Sequence, residues 1–267
     1  MKKINLILLL LLSYLPLAHG QLESRNHSVS NQFYAYKPMY FVFGTSPFAN
    51  AKFQLSFKYR IFAADTFDGL AAPVDKLYLG YTQKSFWDIG DSSGPIRDSV
   101  YNPEVFYLRR NIGADYLPGA VSCDLQFGLE HLSNGASGGE SRQWNRAYIW
   151  PWVRFGQPQH WHVTVAPKVW ATVEDSENPN IEKTYGYGEL HVGTGMNEGL
   201  WLDVMARQGV DSDARAAEVE LSYPLKHIFN DNLKVNVFVQ GFFGRGDSLL
   251  DDEEDTHDIR IGFSVVR

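Results

Sequence analysis

Apolar and polar residues alternate with a period of two from about residue 40 to the end of the chain. The clearest run is 52–61. Phe53, Leu55, Phe57, Tyr59 and Ile61 take one face; Lys52, Gln54, Ser56, Lys58 and Arg60 take the other. Met39–Gly44 precedes it as a first strand. Leu77, Leu79 and Tyr81 mark a third, residues 101–110 a less regular fourth, 121–133 a fifth, 143–155 a sixth and 161–172 a seventh. Weaker stretches follow at 183–195, 199–207 and 215–224. Leu233, Val235, Val237 and Val239 mark an eleventh, and Ile259, Ile261, Phe263 and Val265 the last. The pattern predicts about twelve strands of near-spanning length.

Composition decides which all-β fold this is. The chain opens MKKINLILLLLLSYLPLAHGQ: a basic start at Lys2 and Lys3, an apolar run from Ile4 to Leu17, and small residues near Ala18 and Gly20. Residues 1–20 read as a secretory signal peptide. No later stretch has the length of a membrane-spanning helix, yet 14% of residues are aromatic. Export, aromatic enrichment and period-2 patterning fit a transmembrane antiparallel up-and-down β-barrel better than a soluble sandwich. The domain reading is therefore signal peptide 1–20, a polar N-terminal periplasmic arm 21–38, and a barrel over 39–267. Cys123 is the sole cysteine, so no intramolecular disulfide forms, and its parity places it toward lipid. A net charge of −7 does not suggest nucleic acid as a partner. The acidic run Asp251–Asp255 reads as a solvated loop, with cation binding a lesser alternative.

If the N-terminus starts inside, odd-numbered strands run outward. The connections after strands 2 (63–73), 6, 8 and 10 are then periplasmic, and those after strands 1, 3, 5, 7, 9 and 11 external. Strand five breaks the rule that its outward face should be merely apolar. Leu125, Phe127 and Leu129 share that face with His131 and Ser133. A base beside a hydroxyl is what an activated serine nucleophile requires. After a Gly/Ser-rich turn, Asn145 shares parity with Ala147, Ile149 and Val153, and so falls next to His131 on the same side. By this parity His131 and Ser133 stand at the outer rim, on the lipid side of the wall, where lipid esters are the natural neighbours.

The run His131-Leu132-Ser133-Asn134-Gly135, followed by Ser141-Arg142 and Trp144-Asn145-Arg146, resembles the signature of the outer membrane phospholipase A family. The resemblance includes Lys52-Phe53-Gln54-Leu55-Ser56, Tyr81-Thr82-Gln83-Lys84-Ser85, Asn178-Pro179 and Leu221-Ser222-Tyr223-Pro224, and covers most of the mature chain. It implies a twelve-stranded barrel of the bacterial outer membrane, with its active site toward the outer leaflet. That barrel hydrolyses acyl esters (sn-1 and sn-2) of phospholipids and lysophospholipids through a Ser–His–Asn triad. Ser133 matches the nucleophile, His131 the general base and Asn145 the residue orienting the imidazole. The chemistry agrees: Asn145 accepting one ring N–H leaves the other ring nitrogen to take the serine proton.

The resemblance further implies an oxyanion hole from the N–H groups of Ser133 and Gly135, assisted by Ca2+. The matching ligand positions are the Ala136 carbonyl, Ser141 and Ser93, with Ser92 an alternative to Ser93 because the 91–95 loop is shorter than the family pattern. Gly138 stands where some relatives carry an acidic residue, which counts against a second calcium site. Gln83 shares parity with Leu77, Leu79 and Tyr81, so its amide falls on the lipid face, where an unpaired polar group costs a few kcal/mol. In the family the matching glutamine bonds across a dimer interface. The expectation is therefore a homodimer, silent as a monomer and switched on by dimerisation.

Two rivals share the scaffold. One is a catalytically silent porin-like or structural barrel, and the other an acyltransferase using the same triad. Lys52, Lys58, Arg60, Arg146 and Arg154, with Gln126 and Glu130, are expected to point inward as a charged plug and not line an open pore. His160 and His162 are expected at the periplasmic rim as interfacial residues beside Trp161.

Overall fold

A computed structural model describes residues 32–44, 50–62, 76–113, 121–176 and 178–267. The expected signal peptide, the first part of the arm and the 63–73 connection lie outside the described residues. A short strand β1 (Phe33–Ala35) leads to β2 (Met39–Gly44), β3 (Ala51–Arg60), β4 (Leu77–Trp87), β5 (Ile96–Arg109), β6 (Val121–Ser133), β7 (Gln143–Phe155) and β8 (His162–Glu174). A single helical turn, α1 (Glu182–Tyr185), precedes β9 (Gly188–Gly195), β10 (Trp201–Gln208), β11 (Arg215–Pro224), β12 (Asn236–Arg245) and β13 (Asp255–Val266). Neighbours in sequence pair antiparallel from β2 to β13, and β13 pairs with β2, so twelve strands close into a barrel without a free edge.

Alternation along each strand sorts the side chains. Lys52, Gln54, Ser56, Lys58 and Arg60 are all buried in the lumen. Leu79, Phe127, Leu129, Ile149, Ile259, Ile261 and Phe263 are exposed on the outer wall. An apolar exterior around a polar interior is the inverse of a soluble sheet and is the pattern of a membrane barrel.

The lumen is filled. Glu130 is the hub of one cluster, 2.8 Å from Arg146 and 2.9 Å from Lys168. The Arg146 guanidinium lies over the rings of both Trp144 and Trp170, 4.2 and 4.4 Å from their centroids. Lys52 pairs with Asp247 at 2.7 Å and Glu218 at 3.2 Å, and Arg260 joins Asp247 and Asp258. Such charges are tolerable away from water because each has a partner. The inward plug expected of Lys52, Lys58, Arg60, Gln126, Glu130 and Arg146 is therefore present, and Arg154, expected with them, is half-buried and lines a lumenal cavity. Among the described residues, lumenal cavities of about 330 and 300 Å³ lie toward the rim where both ends of the barrel ladder lie.

Several boundaries differ from the alternation pattern. The arm expected over 21–38 ends earlier: Phe33, Tyr34 and Ala35 pair with Tyr59, Lys58 and Phe57 of β3. Tyr36 and Lys37 then turn into the lumen, where Tyr36 stacks on Phe106 and Lys37 Nζ bonds Glu104 at 3.0 Å. An aromatic ring and a carboxylate inside the barrel outcompete solvent for this segment. The fourth strand starts at Ile96, not 101. The eighth starts at Gly188, not 183, because α1 buries Tyr185 against Trp144, an aromatic contact that alternation does not register. β12 begins at Asn236, later than Leu233, and β13 begins at Asp255. His162 is not interfacial: its side chain faces inward, buried, 5.0 Å from the Trp201 ring.

The Asp251–Asp255 run is only partly a solvated loop. Asp251 makes a two-pronged contact with Arg97, and Asp252 is buried. Asp98 receives the N–H groups of Leu249 and Leu250, which folds the 246–254 connection over the barrel mouth and buries Leu249 in the aromatic cluster.

Candidate active site

The β6–β7 ladder sets the site. Its register opposes His131 to Asn145 and Ser133 to Gln143. Two residues apart on one strand, His131 and Ser133 project from the same side of the wall, with Cα atoms about 7 Å apart. His131 Nδ1 lies 2.7 Å from Asn145 Oδ1. An amide oxygen only accepts, so Nδ1 is the donor in this contact, and in the neutral ring Nε2 is the free acceptor. Parity alone placed these three residues together; the register makes His131 and Asn145 direct cross-strand partners.

Ser133 leads into a loop, 134–142, pinned by one side chain. Asn134 Oδ1 accepts the N–H groups of Ala136 and Arg142, and Asn134 Nδ2 donates to the Glu140 carbonyl at 2.8 Å. Gly135 has φ +67, and a Cβ there would meet the Tyr101 ring at 3.0 Å. Left-handed backbone pressed against an aromatic ring admits only glycine at low cost. Arg142 Nη1 donates to the carbonyls of Gly139 and Ser141. Ala136 and Ser141 thus lie on a rigid loop directly after Ser133. Ser92 and Ser93 sit on the β4–β5 turn, where Ser92 Oγ and Ser93 N–H both bond Asp91. Among the described residues, no group of three or more His, Cys, Asp or Glu side chains is placed to hold a metal.

Gln83 faces outward as its parity required, but its amide is not bare. Tyr81 Oη donates to Gln83 Oε1 at 3.1 Å, and Gln83 Nε2 donates to Ser85 Oγ at 3.1 Å. Tyr81 and Ser85 thus satisfy part of this amide within one chain. One N–H and one lone pair remain for an external partner. The ladders also put Gln83 opposite Tyr101, and Tyr101 opposite Ser133. Gln83 and Ser133 therefore share one lateral row of the outer wall.

Two residues near the site escaped the sequence reading. Asn102 Nδ2 donates 3.1 Å to the His131 carbonyl, beside a gap in the β5–β6 ladder at Asn102 and Pro103. Proline inside a strand was the available signal, since it lacks the N–H that a ladder needs. The other is Glu174, whose Oε2 accepts from Asn145 Nδ2 at 2.9 Å. It lies 29 residues further along, and no short motif connects the two.

The sequence profile of the family described as Phospholipase A1 matches residues 23–265. A relative from Neisseria meningitidis serogroup B is 34% identical over 228 residues, spanning 82% of this chain and 55% of that protein. The phospholipase A1 of Salmonella typhimurium is 33% identical over 220 residues, 80% of this chain and 68% of that one. The chain thus spans little more than half the length of the Neisseria relative. Among solved structures, outer membrane phospholipase A from Escherichia coli aligns with a TM-score of 0.72 at 25% identity, covering 90% of this chain and 96% of that one. An outer membrane phospholipase dimer from Salmonella typhi, with bound calcium, aligns at a TM-score of 0.70 and 27% identity, covering 88% and 92%. A closed twelve-strand barrel with a serine, a histidine and an asparagine on its outer wall, matched over nearly its whole length, makes this chain an outer-membrane β-barrel of the phospholipase A1 family.

Proposed function

We propose that this barrel is a calcium-dependent phospholipase that hydrolyses the sn-1 and sn-2 acyl esters of phospholipids and lysophospholipids and is activated by homodimerisation. The observation carrying the reading is the 2.7 Å contact between His131 Nδ1 and Asn145 Oδ1, on the lipid-facing wall two residues from Ser133.

An even strand number returns both ends of the barrel to one rim, and Ser133 lies at the other. With the ends periplasmic, the site opens to the outer leaflet. Ser133 Oγ attacks the acyl carbonyl carbon while His131 Nε2 takes its proton. The N–H groups of Ser133 and Gly135 face the developing oxyanion. His131 returns the proton to the departing lysolipid oxygen, leaving an acyl group on Ser133. Water then attacks that ester, again through His131, and the fatty acid leaves.

The donors of the 134–142 loop fit a hard cation: the Ala136 carbonyl and the Ser141 hydroxyl are both oxygens. Ser93 or Ser92 of a second copy, together with water, would complete the shell. When bound, the ion supplies positive charge beside the oxyanion. The solved Salmonella typhi relative, a dimer with bound calcium, supports this part of the reading.

The test is fatty-acid release from phospholipid–detergent micelles, with calcium and with chelator, for wild type and Ser133→Ala. Release that requires both calcium and Ser133 is expected. Release requiring Ser133 but not calcium would sink the metal assignment. A folded dimeric barrel releasing nothing would be a passive barrel.

A further inference from the structure

The β7–β8 ladder carries an irregularity at the one place where it touches the site. Ile149, Ala147 and Arg146 pair with Val169, Ala171 and Thr172 in regular register. Continued by one residue, that register would set Val173 opposite Asn145. Instead Asn145 pairs with Glu174, and Val173 is the extra residue of a bulge. A bulge re-aims the side chains beyond it. Here it brings a carboxylate onto the outer wall beside the triad asparagine.

We propose that Glu174 is a positioning residue that fixes the amide of Asn145, and through it the tautomer of His131; this rests on the triad reading above. A chain of hydrogen bonds links the three residues. An ionised carboxylate only accepts. Glu174 Oε1 receives the N–H of Ser176 at 2.9 Å and also the Ser176 hydroxyl, so the carboxylate is held from behind. Its Oε2 faces Asn145 and accepts from the amide nitrogen, which lies 2.9 Å away. Asn145 must then turn Oδ1 toward His131. An amide oxygen at that position requires Nδ1–H, and Nε2 is left as the acceptor for the Ser133 proton. Asparagine is nearly symmetric in shape, and without Glu174 nothing at its far end favours this orientation over the flipped one. Flipped, its NH2 would face Nδ1, stabilise the Nε2–H tautomer and remove the base. Aspartate needs no such help, because both of its oxygens accept. Glu174 also sets a full negative charge one residue behind a neutral triad member, where the transient imidazolium gains from it.

Glu174→Gln separates this role from simple packing, because it preserves shape. Glutamine has one oxygen, which the Ser176 N–H claims, so its NH2 would face Asn145 and drive the flip. The expected result is a fall in kcat of about tenfold with KM within twofold, and no further loss when the change is made in an Asn145→Ala background. A silent Glu174→Gln in an enzyme whose release depends on Ser133 would overturn the role, as would an equal loss in both backgrounds. A readout independent of turnover is the ¹⁵N spectrum of histidine-labelled protein in micelles. Wild type should show His131 as Nδ1–H, and Glu174→Gln should shift it toward Nε2–H. An unchanged tautomer overturns the inference even if wild type releases fatty acid. Absence of release with a shifted tautomer would instead sink the hydrolase reading alone.

Discussion

Gln83 and Ser133 lie in one lateral row of the outer wall, two strands apart, with Tyr101 between them. At about 4.8 Å per strand they are separated by roughly 10 Å. A second copy seated over Gln83 would therefore border the serine directly, and a lipid acyl chain bound beside Ser133 would lie along the junction. Replacing Gln83 with alanine removes the external hydrogen-bonding capacity and leaves the triad in place. The expected outcome is a several-fold smaller dimer fraction in calcium and substrate analogue by sedimentation, with activity falling in proportion. Unchanged dimerisation would assign the interface elsewhere.

The contact between His131 and Asn145 sets a hierarchy of losses. Ser133→Ala and His131→Ala remove groups that move in the reaction and should each lower kcat by about three orders of magnitude or more. Asn145→Ala leaves nucleophile and base in place but frees the ring, and a loss of about ten- to a hundredfold is expected. Steady-state release from micelles orders the three. Equal losses for all would place Asn145 in the chemistry itself.

Glu130 holds two cations in the lumen, at 2.8 Å from Arg146 and 2.9 Å from Lys168. Glu130→Gln leaves both positive charges buried without their counterion. Breaking such a buried cluster costs about 3–5 kcal/mol. The temperature at which the folded barrel converts to the slow-migrating form on unboiled gels should drop by many degrees. The same filled lumen predicts no large steady conductance for wild type in a planar bilayer, and a porin-sized current would contradict the plug.

The connection 246–254 contributes opposite pH dependences. Burial raises the Asp252 carboxyl to about 6, with Glu253 adding to the rise. Its folded value is above the unfolded one near 3.9, so the charged form opposes folding at neutral pH and the penalty is relieved as pH falls from above 6 toward 4. Asp252→Asn should therefore slow thermal unfolding at pH 8, with a gain that vanishes at pH 4. Burial also pushes Asp247 up, but Lys52, Lys84 and Arg260 outweigh it and hold the group at about 2. Its stabilisation is complete above about pH 4 and is lost as pH falls through 2, so Asp247→Asn should speed unfolding at pH 8. Unfolding rates at the two pH values, compared across both variants, check the signs.

The barrel was legible from residues alone because strand periodicity and a lipid exterior act on every residue in turn. Lys52 to Ile61 states which side is wet without reference to any other strand. His131 and Ser133 were legible for the same reason: two polar side chains at apolar parity on one strand. Asn145 was within reach because a hairpin fixes which positions meet across it. Tertiary structure decided whatever depended on contacts distant in the chain. Tyr36 and Lys37 read as a polar arm until Phe106 and Glu104 appear inside the barrel to receive them. Gln83 read as unpaired because Tyr81 and Ser85 share its face, and face alone does not tell whether side chains bond. Glu174 was beyond any local rule: it reaches Asn145 through a single inserted residue, Val173, and an insertion in a ladder is defined only once both strands are in place.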